Sequence, residues 1–304
     1  MSMQINTNVA ALNAHRNLSN TQNALSSSLE KLSSGLRINR AADDAAGLSI
    51  SEGLRSQVNG LAVAARNAQD GISVIQTAEG SLSEAHSILQ RVRDLTVQAG
   101  NDTNNPAARE AIMSEIGQLG DELDRLADNA NFNGINLLNG EHNSLTFQIG
   151  AGSDASNQIS VNLTDLKAVA TAIKGLGDPE GQPTIPNPNA GDPGAPATIA
   201  NPDYVPGSID AENVLDALAD IDEQIANVSS ARSDLGASQN RLESAINSIN
   251  VSRENLSAAE SRIRDVDMAA EMVNFTRSNI LSQAGTAMLA QANQSTSGVL
   301  QLLG

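Results

Sequence analysis

The chain has 304 residues, and 35 acidic against 18 basic side chains leave a net charge of −17, a balance that argues against nucleic-acid binding because phosphates need basic surface. Cysteine is absent, which excludes disulfides, thiolate metal sites and thiol nucleophiles. Aromatic residues make up 1%, so Leu, Ile, Val and Ala must supply the core, which suits long helices packed side by side.

The first 40 residues predict a seamed helix. Leu18, Leu25 and Leu32 recur every seven residues, with Leu29 and Leu36 four on from the last two. Up to Ser28 the only charged side chain is Arg16. The amino terminus carries neither a basic n-region nor an apolar h-region, so no ordinary signal peptide is expected. No stretch of about 18 apolar residues is present, so membrane insertion is not expected. Ser34 to Leu48 breaks the pattern, and a bend is expected near Gly35–Asp44. Asp43 and Asp44 read as acids at the positive end of the next helix.

Residues 55–99 resume helix. Ile75, Leu82 and Leu89 form one heptad line, and Ala78, Ala85, Val92 and Ala99 the other. Asn105-Pro106 reads as an N-cap followed by the first helical position. A third helix carries Ile112, Ile116, Leu119, Leu123 and Leu126 on one face. Asn129 to Gly140, with Asn133-Gly134 and Asn139-Gly140, is turn chemistry. Leu145, Phe147 and Ile149 alternate, as do Ile159, Val161 and Leu163, and a hairpin joins them across Gly150–Asn157.

Eight of the nine prolines fall between Asp178 and Pro206, which makes that acidic stretch a loop or extended insert. From about Asp210 to Leu303 the pattern predicts helix almost without interruption, entered through Val214, Leu218, Ile221, Ile225, Val228 and Leu235. Leu242, Ile249, Leu256 and Ile263 then form one heptad line, and Ala245, Ala259, Val266, Val273, Ile280 and Ala287 a second. From Ser278 to Gly304 there is no charged residue. Two charge-poor, seamed ends leave apolar surface that a lone chain cannot cover, so self-association is expected.

The expected fold is therefore mainly α: a long coiled-coil-like antiparallel helical bundle with paired terminal helices, a short β-hairpin and a small proline-rich insert. Residues 1–42 with 265–304 form the terminal helical domain, 43–177 with 208–264 the bundle with the hairpin, and 178–207 the insert. His15, His86 and His142 have no ligand-spaced neighbours, and neither a GxxxxGK[ST] loop nor a GxSxG elbow occurs. No catalytic residue, metal or cofactor is expected, and the reading is of a protein that is not an enzyme.

Several blocks resemble the bacterial flagellins. They are Ile5–Ala14, Leu32–Leu48 with its Ser-Gly-Leu-Arg-Ile-Asn-Arg-Ala-Ala-Asp-Asp core, Asn67–Gly80, Asn131–Leu138, Leu235–Leu242, Glu254–Asp267 and Ile280 onward. The resemblance covers roughly residues 1–177 and 208–304; the intervening segment falls where flagellins vary most. It implies a structural subunit that polymerises into the flagellar filament, with paired terminal helices lining the filament's inner core. Export through the flagellar secretion channel without a cleaved signal to an extracellular flagellum is implied too. The self-assembly positions are then Leu18, Leu25, Leu29, Leu32, Leu36, Leu256, Ile263, Val266, Val273, Ile280, Leu289, Leu300 and Leu303. The implied partners are the chain itself, an export chaperone, the filament cap and the hook–filament junction proteins. A host Toll-like receptor is also implied, through Gln90, Arg91, Leu95 and Glu115. Asp94 and Thr96 depart from the family's commonest wording there. A hook–filament junction protein shares the seamed ends and is the alternative; the central blocks favour flagellin.

Overall fold

The structure, a computed structural model, describes residues 8–177, 184–186, 198–200 and 211–303. Its helices are α1 (Val9–Ser34), α2 (Ala45–Ala99), α3 (Pro106–Asn129), α4 (Leu166–Gly177), α5 (Ala211–Arg264) and α6 (Met268–Leu303). Short strands β1 (Asn131–Phe132) with β2 (Ile135–Asn136), β3 (Ser144–Gln148) with β4 (Gln158–Asn162), and β5 (Thr184–Pro186) with β6 (Thr198–Ala200) pair antiparallel. The mainly α expectation holds. Apart from β5 and β6, the 178–207 insert lies outside the described residues.

Two compact units divide the chain: residues 1–60 with 251–304, and residues 61–250. The expected boundaries at 42 and 265 fall at the two breaks in helix, between α1 and α2 and between α5 and α6.

The core of the second unit follows the heptads. On α2, Ile75, Leu82, Leu89, Ala78, Ala85, Val92 and Ala99 are all buried. On α5 six residues spaced by seven, Val214, Ile221, Val228, Leu235, Leu242 and Ile249, are buried, and Ile221, Val228, Leu235 and Leu242 share one core cluster with the α2 residues. Ala217 fills the inward position near the start of α5, and Leu218 is only half-buried. The two helices run antiparallel. Arg232 reaches Glu79 at 2.8 Å, Arg93 reaches Asp222 at 2.7 Å, and Leu242 lies beside Gly71. The hydrogen bond from Arg93 holds the Asp222 carboxyl below its usual range.

Asn105 caps α3 by accepting from the Ala108 amide at 2.7 Å, and Pro106 takes the first turn, as expected. The β1–β2 hairpin turns on Asn133 (φ 51°) and Gly134 (φ 81°), the left-handed pair that a two-residue turn requires. In the β3–β4 hairpin Leu145 faces Val161 and Phe147 faces Ile159, the register the alternation implied. It docks on α2 through Asn67 Nδ2, which donates to the Gln148 carbonyl at 3.1 Å.

Helix α4 is not among the elements that the spacing predicts. Its four buried residues, Leu166, Val169, Ala170 and Ile173, sit at i, i+3, i+4 and i+7. Asp165 caps it by accepting from the Ala168 amide. A single apolar stripe between a strand and a Gly/Pro-rich stretch is easily read as a continuation of either. α4 lies close on α3, where Gly120 leaves room for the Lys174 stem; a Cβ there would come within 2.8 Å of Lys174 Cγ. Lys174 bridges Asp124 at 2.8 Å and Asp121 at 3.0 Å, and Lys167 bridges Asp128 at 3.2 Å. The hydrogen bond from Lys174 pulls the Asp124 carboxyl down, and Asp124 in turn raises Lys174.

Two outcomes are expected. A depressed Asp124 stabilises the α3–α4 pair above the ordinary carboxylate range, and that contribution is lost as pH falls through its lowered folded value. Amide protection in α4 should therefore fall on acidification, and Asp124→Asn should flatten the acid response. Leu82→Ala should destabilise the second unit by roughly 2–5 kcal/mol in denaturant unfolding.

Candidate functional site

The first unit is organised by a clasp between two turns. Gly35, at φ 72°, ends α1 in the left-handed conformation, and its amide bonds back to the Lys31 carbonyl at 2.9 Å. The Arg37 amide donates to the Arg264 carbonyl at 2.6 Å, and the Val266 amide to the Gly35 carbonyl at 3.0 Å. Leu36 and Asp265 thus form an isolated antiparallel bridge. Around it, Arg37 Nη2 reaches the Ile263 carbonyl at 2.6 Å and Arg264 pairs with Glu52 at 2.7 Å. Asp43 Oδ2 accepts from the Asn39 and Arg40 amides. The bonds from the Arg40 and Asn39 amides hold its carboxyl below the usual range. Asp44 accepts from Gly47 at the start of α2. Both acids serve the bend and the helix start, as read from the sequence.

The helix expected to run nearly unbroken from 210 to 303 is two helices, which corrects the expectation. Asp265-Val266-Asp267 leaves helical geometry to make the clasp, and Asp267 caps α6 by accepting from the Ala269 and Ala270 amides. The signal was present: an Asp ahead of a fresh apolar pattern. The heptad line running through it masked the break.

Beyond the clasp, α1 and α6 pair antiparallel. Asn8 Nδ2 donates to the Ala292 carbonyl at 3.0 Å, Ser282 meets Gln22 at 3.3 Å, and Leu18 lies over Gly285. On α1 the half-buried leucines are Leu18, Leu25 and Leu32, the expected seam, and Ser28 is buried between them. On α6 the half-buried positions include Phe275, Ser278, Ser282, Gly285 and Leu289, alternating by three and four residues. Leucines on one helix thus meet small and polar residues on the other. Leu36, Leu256, Ile263 and Val266 are half-buried, while Leu29 is exposed.

Val273 and Ile280 do not continue the seam. They are 58% and 61% exposed, on the side of α6 turned away from α1. The break at 265–267 resets the helical phase, so a line inward on α5 emerges outward on α6. Met272, Val273, Thr276, Arg277, Ile280 and Leu281 line an open groove there, and Met288 extends the apolar strip. Arg277 is the only charge on α6 beyond Glu271. The side chains of Leu300 and Leu303 lie outside the described residues.

The second cluster singled out from the sequence lies in the other unit. Arg91 donates through Nε and Nη2 to Glu115 Oε1, at 3.0 and 2.7 Å; Arg91 is exposed and Glu115 half-buried. Gln90 is exposed beside His86. Leu95 is not part of this surface: it is 2% exposed, within the core line of Leu89, Val92 and Ala99.

A nearly uncharged apolar strip on a terminal helix pair, in a chain whose other unit is a heptad bundle, is the architecture of a helical structural protein. Residues 5–143 match the bacterial flagellin N-terminal helical region, and residues 218–303 the bacterial flagellin C-terminal helical region. Over 318 residues the chain is 50% identical to a flagellin of Bacillus subtilis, covering 99% of this chain and all of the relative. It is 45% identical over 311 residues to a flagellar filament 33 kDa core protein of Treponema phagedenis, again over 99% of this chain and all of the relative. A solved structure from Vibrio parahaemolyticus described as a putative flagellar hook-associated protein shares the fold, with a TM-score of 0.53 and 14% identity over 73% of this chain and all of that one. The chain belongs to the bacterial flagellin family and is a structural subunit of the extracellular flagellar filament.

A Cβ at Gly285 would stand 3.2 Å from Leu18 Cδ1. Gly285→Leu should therefore push α1 from α6 and lower filament yield by sedimentation. Leu18→Ala in the same chain should restore part of the loss, a coupling that independent sites would not give.

Proposed function

We propose that the α1–α6 pair polymerises through the outward strip of α6, with Val273 and Ile280 at its centre and Met272, Leu281 and Met288 beside them. The observation that carries this reading is the inversion of the seam: Ser278, Ser282 and Gly285 face α1 with Phe275 and Leu289, while Met272, Val273, Ile280, Leu281 and Met288 are exposed. Burying each such side chain on assembly contributes roughly 1.5–3 kcal/mol, and the absence of acids along the strip avoids desolvating ions at the contact. The leucines Leu18, Leu25, Leu32 and Leu289 hold the pair; Leu29 and the strip meet neighbouring subunits. The pair buries little large apolar surface by itself, so the terminal arms order fully on assembly.

The remaining family expectations rest on membership. They are export through the flagellar channel without a cleaved signal, and contacts with an export chaperone, the filament cap and the hook–filament junction proteins. For recognition by a host Toll-like receptor, the Arg91–Glu115 pair and Gln90 form the contact. Leu95 supports them from the core.

Val273→Asp with Ile280→Asp should abolish filaments in electron micrographs of seeded monomer, with the monomer's helix content unchanged by circular dichroism; filaments of normal length would overturn the reading. Arg91→Ala should weaken receptor activation about tenfold, as loss of a charged anchor does, without changing filament yield.

A further inference from the structure

Among the described residues the methionines fall into two kinds. Met113 is buried in the core of the second unit, at 8% exposure, whereas Met268, Met272 and Met288 are 49%, 49% and 63% exposed on α6. Met272 lines the outward groove with Val273, Ile280 and Leu281, and Met288, seven residues beyond Leu281, lies on Leu281's edge of the exposed strip, across it from Met272. The chain has no cysteine, so among the described residues these thioethers are the most readily oxidised exposed groups.

We propose that Met272 and Met288 form an oxidation-sensitive site that governs entry of the subunit into the polymer, an inference that rests on the outward strip being the assembly face. The co-reactant is a peroxide. The thioether sulfur donates a lone pair to one peroxide oxygen, the O–O bond breaks and an S–O bond forms. Sulfur is oxidised by two electrons, and the other oxygen takes up a proton and leaves as water or an alcohol. The product sulfoxide is polar and chiral where the strip was apolar. Arg277 is the one charged side chain lining the groove, and Thr276 its only hydroxyl. A sulfoxide on the strip would therefore enter a packed contact with few donors to satisfy it.

The modification acts on the unassembled subunit and is reversible by methionine sulfoxide reductases. Once the strip is buried between subunits, its sulfurs are shielded. Met268, exposed but outside the groove lining, is an internal control.

The test treats full-length monomer with hydrogen peroxide, maps sulfoxides by peptide mass spectrometry and measures seeded elongation. Met272 and Met288 should oxidise well before Met113, and elongation should slow about tenfold, the order expected for an unsatisfied polar group at a packed contact. Sulfoxide reductase should restore the rate. Peroxide should leave the elongation rate of the Met272→Leu, Met288→Leu chain at that chain's own untreated value, and Met268→Leu should remain sensitive. Oxidised wild-type monomer that elongates at the untreated rate, or a double-leucine chain that peroxide still blocks, overturns the proposal. The assembly reading is judged separately, by the Val273→Asp, Ile280→Asp chain without oxidant.

Discussion

Two backbone hydrogen bonds, Arg37 to Arg264 and Val266 to Gly35, set the geometry of the first unit. They join the end of α1 to the break between α5 and α6, and so fix the register in which the terminal helices pair. With Leu36 opposite Asp265, Leu18 falls on Gly285 and Gln22 on Ser282. The side chains nearby secure the turns in place. Gly35 supplies the positive φ, Asp43 and Asp44 satisfy loop and helix-start amides, and Asp267 caps α6.

That register also separates two uses of apolar residues. Along α2 and α5 the heptad lines face each other and are buried within the chain. Along α6 the equivalent line faces outward, and the inward face is made largely of small and polar residues. A pair built in this way keeps together by close approach and leaves Val273, Ile280, Leu281 and Met288 exposed. The acidic surplus of the chain is concentrated elsewhere, and only Arg277 carries charge on α6 beyond its first turn.

Much of this was legible in the sequence because heptad spacing is a direct geometric signal. The seven-residue lines on α2 and α5, the Asn105 cap and the β3–β4 register all stand where the spacing put them. Three things were not legible. The break at 265–267 was hidden because its residues fit the repeat while their backbone serves the clasp. The outward turn of Val273 and Ile280 follows from that break, and periodicity alone does not say where a helix loses phase. α4 stayed hidden because its helically spaced stripe, Leu166, Val169, Ala170 and Ile173, spans only about two turns before Gly175 and Gly177 interrupt it. The burial of Leu95 was readable from its place among Leu89, Val92 and Ala99, but its motif drew it to the surface.

The clasp has a consequence for how the chain can vary in length. Each residue added to or removed from an α-helix rotates everything beyond it by about 100°. A one-residue insertion or deletion between the clasp and Val273 would carry Val273 and Ile280 off the outward face, even with every side chain kept. The proline-rich stretch between α4 and α5 lies outside both heptad seams, so no helical phase depends on its residue count. Length changes are therefore tolerated there and penalised within the first turns of α6, whatever the substituted residues are.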